Sequence, residues 1–246
     1  MKVSRTMKNI IPVFLFLSSG LMMEAESVEH LKSHQTLPEN SKFENVKSQV
    51  TEYLKGSWCS AEKANLIMEL IVTEHLRNCV EVGAFTGSSA LPILAALRYL
   101  NQGHVYLIDA WSNQEAVKGL NAQDPNAIWW STLDMKAVKN QLLHMVKSWN
   151  LTPYCTIIHA TSEKAVQEIQ DIEFLHLDGN FSEEGAFLDS ELYLPKVRSG
   201  GYILLSNVLF MTDQKPSKMK SLWPIFDQCD IVGEIDSGNA ILFKKS

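Results

Sequence analysis

Cys79-Val80-Glu81-Val82-Gly83-Ala84-Phe85-Thr86-Gly87-Ser88-Ser89 is the stretch on which the reading of this chain turns. An apolar run ends in an acid and a glycine, a second glycine follows four residues later, and residues 88–100 then run helical and rich in Leu and Ala. This pattern predicts a strand that turns sharply into a helix. Glycine at 83 and 87 lets the backbone turn and lets a ligand approach without a Cβ in the way. The first N–H groups of the helix, at Ser88 and Ser89, have no carbonyl one turn behind them and suit a ligand carboxylate or phosphate.

Outward from this turn the pattern alternates. Residues 56–74 read as a helix capped by Ser60, with Leu66, Ile67, Leu70 and Ile71 at helical spacing. After the glycine turn, strand-like runs at 104–109, 154–159, 172–178 and 201–206 are separated by helical stretches at 133–149, 163–169 and 183–194. Two more strand-like runs, 230–235 and 240–244, flank Asp236-Ser237-Gly238-Asn239 and predict a hairpin. Strands alternating with helices imply a mostly parallel sheet with helices on both faces. The expectation is therefore a doubly wound, Rossmann-like α/β domain over residues 56–246, with seven strands of which the last runs antiparallel. Residues 112–130 read as a polar, irregular excursion, open to being a substrate lid or a surface loop anchored by Trp129 and Trp130. Lys215, Lys218 and Lys220 read as a solvated face.

Composition sets outer bounds. Of 246 residues 46% are hydrophobic and 20% charged, which suits a globular fold, and a net charge of −6 argues against a basic face that grips nucleic acid. Cys59, Cys79, Cys155 and Cys229 form no Cys-x-x-Cys pair, which argues against a zinc knuckle or a dithiol motif and favours free, buried thiols.

The second strand makes the glycine turn more specific. His104-Val-Tyr-Leu-Ile-Asp109 ends in an acid, at the place where such folds put a carboxylate to accept from a ribose diol, although an Asp after a strand also makes an ordinary turn cap. Trp111 follows, with a flat face suited either to an adenine or to plain packing. A dinucleotide fingerprint needs Gly-x-Gly-x-x-Gly, whereas this chain has Phe85 at the middle glycine and Glu-x-Gly-x-x-x-Gly spacing, which disfavours an NAD-dependent oxidoreductase.

Residues 81–87, Asp109 and residues 178–207 together resemble the class I S-adenosylmethionine (SAM)-dependent methyltransferases. The likeness is to the small O-methyltransferase-like group that includes catechol and caffeoyl-CoA methyltransferases. It extends from about residue 56 to the C-terminus and implies SAM as cofactor. It places Glu81 and Gly83 near the methionine end, Asp109 at the ribose, and Thr161 and Ser162 near the adenine, with Gly87, Ser88 and Trp111 as further cofactor-binding candidates beside them. Metal-dependent members hold a divalent cation such as Mg²⁺ with an Asp after the fourth strand and an acid–amide pair after the fifth. Those positions are Asp178, Ser206 and Asn207 here, so one carboxylate has become a hydroxyl. Asp178 and Asn207 remain as metal candidates, and a tight site is not expected, because hard cations want carboxylate oxygens. Phe181 stands where relatives often carry His, and the lysine of the catechol-type enzymes is absent from its place.

Asp178 is the leading candidate for the base, with His176 and Glu183 behind it. His176, between Leu175 and Leu177, reads as a satisfied sheet histidine. Two functions stay open: a SAM-dependent methyltransferase acting on a small molecule, at oxygen, and a relative that binds SAM without methylating. The partners expected are a small-molecule substrate, no nucleic acid and no stable membrane span, with a homodimer left open. Residues 1–25, with Lys2, Arg5 and Lys8 ahead of an apolar run, have the layout of a signal peptide with a poor cleavage site, and residues 26–55 read as a linker and a helix. SAM use favours the cytoplasm, and a genuine signal would favour export or anchoring.

Overall fold

The computed structural model describes residues 42–246; the expected apolar segment at 1–25 and most of the expected linker lie outside the described residues. Chain order runs α1 (Phe43–Tyr53), α2 (Ala61–Thr73), β1 (Asn78–Val82), α3 (Ala90–Leu100), β2 (His104–Asp109), α4 (Asn113–Ala116), α5 (Pro125–Thr132) and α6 (Met135–Ser148). It continues through β3 (Cys155–His159), α7 (Ser162–Ala165), β4 (Ile172–Leu177), α8 (Glu183–Tyr193), β5 (Val197–Ser206), the two-residue strands β6 (Met211–Thr212) and β7 (Lys215–Pro216), α9 (Leu222–Phe226), β8 (Cys229–Ile235) and β9 (Ala240–Lys245).

Seven strands form one sheet in the order β3-β2-β1-β4-β5-β9-β8. The first five are parallel, and β9 is antiparallel to both neighbours. This is the doubly wound, Rossmann-like sheet that the alternation predicts. Strand order reverses direction beside β1, which sits between β2 and β4. In such sheets the crevice at the carboxyl ends of the strands, where the order turns, is the place for a ligand.

Side-chain alternation sends each strand's residues to two different cores. Cys79, Phe174 and Leu204 pack with α1, α2, α3 and α6 on one face, and Val80, Val82, Leu175, Leu177 and Ile203 pack with α7, α8 and α9 on the other. A strand apolar on both faces is what a central parallel strand needs. Helix α3 is buried from Ala90 to Leu97, and its alanines keep it close to the sheet. Pro92 falls in the first turn, where no helical carbonyl is lost, and Asn101 ends the helix in the left-handed conformation.

The excursion at 112–130 is more ordered than its polarity suggests. It contains α4, capped by the Ser112 hydroxyl, and α5, capped by Asp124 with Pro125 in the first turn. Asp124-Pro125 is a helix-start signal in its own right, but the following eight residues are too few to show a helical period. Asp124 Oδ2 also accepts from Asp213 N at 2.7 Å, and Asn126 donates to Met211 O, so this excursion is tied to the β6–β7 hairpin. Lys218 departs from the expected solvated face: it is 1% exposed.

Candidate active site at the carboxyl ends of the strands

The glycine turn owes its shape to close packing. Gly83 has φ +92°, and a Cβ there would lie 2.3 Å from Asp178 O, so the ends of β1 and β4 meet with no room for a side chain. Gly87 has φ +89°, and its Cβ direction is filled by Leu142 and Met145 of α6. Gly87 thus lets a helix close on the turn from behind. The first helical bond runs from Leu91 N to Gly87 O at 3.0 Å, and α3 starts at Ala90, so Ser88 and Ser89 precede the helix, whereas the sequence pattern puts them in its first turn.

Asp109 holds the turn from the next strand. Its Oδ2 accepts from Phe85 N at 2.9 Å and its Oδ1 from Trp111 N at 2.7 Å. Both donors belong to residues with positive φ, Phe85 at 45° and Trp111 at 39°, a conformation that costs an L-residue energy and that the carboxylate stabilises. Burial raises the Asp109 pKa above the usual carboxylate range, and the Trp111 and Phe85 N–H groups oppose that rise. A carboxylate has about four lone-pair sites, so two remain for a ribose diol. Trp111 is buried and donates from Nε1 to Phe85 O at 3.0 Å, which makes its ring part of the wall supporting the turn.

Behind the turn lies a polar row that the sequence does not announce. Glu81, His176 and Ser206, on β1, β4 and β5, are each 0% exposed, and α2 adds Lys63 at 4%. Glu81 Oε1 accepts from the Ser89 hydroxyl and lies 2.9 Å from His176 Nδ1. His176 Nε2 lies 2.8 Å from Ser206 Oγ, and Lys63 Nζ lies 3.4 Å beyond. A carboxylate only accepts and an ammonium only donates. In the neutral imidazole form the directions are then fixed: Lys63 donates to Ser206, Ser206 to His176 Nε2, and His176 Nδ1–H to Glu81. Buried charges are costly without partners, and in that form the row joins an ammonium to a carboxylate through two neutral links. Ser206, His176 and Glu81 have the contacts of a Ser–His–acid triad, with the serine hydroxyl held between His176 Nε2 and Lys63 Nζ. Both bonds to Glu81 fall on Oε1, and Oε2 is buried with no hydrogen-bond partner.

Asp178 sits just past β4, where its N donates to Val82 O at 2.9 Å. Its Oδ1 accepts from Asn207 Nδ2, and its Oδ2 lies 4.0 Å from His176 Nε2. Asp178 and Asn207 lie together, and the contact presents the amide nitrogen of Asn207 to the carboxylate. Ser206 Oγ, the third expected ligand position, is engaged by His176 and Lys63. Among the described residues, no three His, Cys, Asp or Glu side chains gather as a metal-binding group. One carboxylate, already accepting from Asn207, is a poor donor set for a hard divalent cation.

The loop after β4 is clamped from several sides. Lys218 Nζ donates to Asn180 O at 2.9 Å and Gly179 O at 3.4 Å and lies over the Phe181 ring. Burial lowers the Lys218 pKa, opposed by the nearby Asp178 and Asp189 charges. Asn180 donates to the carbonyls of Glu115 and Lys118, and Thr212 to Phe181 O. Glu183 is paired with Lys215 at 2.6 Å, which turns it toward the surface hairpin.

Aromatic rings cover this end of the sheet. Trp58 stacks on Phe85 at 4.9 Å, Trp130 meets Phe85 at 5.4 Å and Phe181 at 5.6 Å, and Phe210 meets Phe181 at 4.8 Å. These rings come from five separate segments, so only the fold assembles them. On the β3 side, Thr161 begins α7 but makes no side-chain cap bond, and its buried Oγ1 has no partner. The Ser162 hydroxyl instead bonds Asp189, whose pKa burial raises.

Comparison with known proteins agrees with this geometry. The family model described as "Methyltransferase domain" matches residues 80–208. No curated protein sequence matches the chain. Among solved structures, the S-adenosylhomocysteine-bound methyltransferase of Podospora anserina aligns with TM-score 0.55 and 11% identity over 86% of this chain and 90% of its own. The O-methyltransferase of Bacillus cereus, also with S-adenosylhomocysteine, aligns with TM-score 0.54 and 14% identity over 85% of this chain and 93% of its own. At such identities the structures speak for a shared fold.

Proposed function

The chain belongs to the methyltransferase-domain family, and from this premise we propose that it transfers a methyl group from SAM to an oxygen of a small-molecule acceptor. The observation that carries the reading is the pair of carboxylates around one glycine turn. Glu81 Oε2 is a buried acceptor with no partner, fit for the ammonium of an amino-acid moiety. Asp109 is fixed on the neighbouring strand with lone pairs to spare for a diol. Ser88 and Ser89 N–H groups suit a carboxylate, and Thr161 Oγ1 is a further unpaired group on the side expected for the adenine.

When bound, SAM supplies an activated methyl group on a sulfonium centre. The protein's task is to align an acceptor oxygen with that methyl and to take the oxygen's proton. We assign that role to Asp178, at the end of β4 beside the turn. Asn207 donates to Oδ1, which orients the carboxylate and leaves Oδ2 as the basic oxygen. The aromatic roof of Trp58, Phe85, Trp130, Phe181 and Phe210 excludes water and favours a flat acceptor ring.

Isothermal titration of SAM into the full chain tests the cofactor half, with release of S-adenosylhomocysteine over a panel of phenols and catechols testing the transfer. Micromolar binding is expected, weakened at least tenfold in Glu81→Gln and in Asp109→Ala. No binding by well-folded wild-type protein would sink the proposal. Binding without turnover on any acceptor would turn the reading to a SAM-binding relative.

A further inference from the structure

We propose that the Lys63 ammonium occupies the place a divalent cation would take at the acceptor end, so that this site works with a fixed protein cation and without a metal. The proposal rests on the methyltransferase reading above and concerns the electrostatics of the same site.

The argument begins with burial. Lys63 is 4% exposed, and a lysine is almost never buried to that degree without pairing. Among the described residues its Nζ is within 4 Å of no carboxylate, and its recorded side-chain bond is the 3.4 Å contact to Ser206 Oγ. An ammonium with three hydrogens therefore has one long side-chain bond among the described residues. The helix puts it there by design of its first turn: Ser60 caps α2 by accepting from Lys63 N at 2.9 Å, which fixes where the side chain departs.

Ser206 is the position at which an acid would be needed to hold a cation. With an acid there, Lys63 would make a buried ion pair and neutralise the ligand. With a hydroxyl there, the lysine keeps its charge available, and Ser206 can still donate its own hydrogen bond to a neutral His176 Nε2, 2.8 Å away. Asp178 Oδ2 lies 4.0 Å from the same His176 Nε2, so the proposed base and Ser206, which bonds Lys63, meet at one imidazole nitrogen. A cation so placed lowers the cost of a developing oxyanion on the acceptor, the electrostatic service a metal otherwise gives. A second cation in the same neighbourhood would be repelled. Serine at 206 and lysine at 63 are thus one device, in which each explains the other.

The test reads metal binding and turnover separately. Mn²⁺ is titrated into the full chain and followed by electron paramagnetic resonance, a measurement that needs no methyl transfer. Wild type is expected to bind no Mn²⁺ tightly, up to millimolar metal, and to show the same turnover in EDTA as in Mg²⁺. Lys63→Met, of similar length, is expected to keep SAM affinity within about threefold while kcat falls at least tenfold. The pair Lys63→Met with Ser206→Asp is expected to bind one Mn²⁺ per chain and to recover turnover in Mg²⁺. Tight Mn²⁺ binding by wild type, or full turnover by folded Lys63→Met, would overturn the proposal. So would a folded double variant that binds no metal. Failure of SAM binding in wild type would instead strike the methyltransferase reading and leave the Mn²⁺ result standing alone.

Discussion

Replacing Asp109 by Asn removes one acceptor and one charge while keeping the side chain's size. In the protein the two oxygens of Asp109 receive Phe85 N–H at 2.9 Å and Trp111 N–H at 2.7 Å. Hydrogen bonds to a charged group contribute about 1.5–3 kcal/mol each, and a neutral bond about 0.5–1.5 kcal/mol. Asn keeps one oxygen as a neutral acceptor and turns its NH₂ toward the other N–H. The gross loss is roughly 2–4 kcal/mol, from one bond removed and one weakened, and relief of the desolvation that raises this carboxyl's pKa offsets part of it. For a domain of this size each kcal/mol moves the melting temperature by about 2–4 °C, so a fall of several degrees, up to roughly 16 °C, is expected by calorimetry. Asp109→Ala should fall further, because both N–H groups lose their acceptor and Phe85 and Trp111 keep positive φ without it. An Asp109→Asn protein that melts within 2 °C of wild type would refute the view that this carboxylate holds the turn.

The same residue gives a pH dependence. Burial raises the Asp109 pKa in the fold above 3.8. As pH falls, the folded protein therefore takes up this proton before the unfolded chain does. Between the raised value and 3.8 the folded state binds more protons than the unfolded state, so this group's own contribution to stability increases as pH falls. SAM affinity moves the opposite way, since the protonated carboxyl loses its charge for the diol. Titration calorimetry at descending pH should show affinity falling before the fold is lost.

Two glycine substitutions separate conformational strain from collision. Gly56 has φ +80° with nothing near its Cβ direction, so Gly56→Ala should cost only about 1 kcal/mol of left-handed strain. Gly83→Ala adds a contact of 2.3 Å with the Asp178 carbonyl and should yield little folded protein on urea titration, and equal stabilities would refute the close approach of β1 and β4. Thiol labelling offers a third check. Burial pushes the Cys59 thiol up to about 12 and the Cys155 thiol up to about 11. Native protein at pH 7.5 should therefore react slowly with a disulfide reagent at all four free cysteines and quickly in denaturant, and rapid stoichiometric labelling of native Cys59 would contradict its burial.

Much of this molecule is written locally. Periodicity of two and of 3.6 locates the strands and long helices, since each records which side of an element meets a core. Glu81, Gly83, Gly87 and Asp109 stand out because a strand-to-helix turn and an acid at a strand end are features of short stretches. Other features belong to no short stretch. Helix α5 carries a start signal but too few residues for a period. Lys218 looks like its exposed neighbours in sequence, and only the chain path over Gly179 and Asn180 buries it. The row of Lys63, Glu81, His176 and Ser206 spans 143 residues between Lys63 and Ser206. It exists because the strand order sets β1, β4 and β5 side by side with α2 packed on that face. A buried polar group is stable only with its partners, and partners so far apart in the chain are supplied by the sheet's register and the helix packed on it.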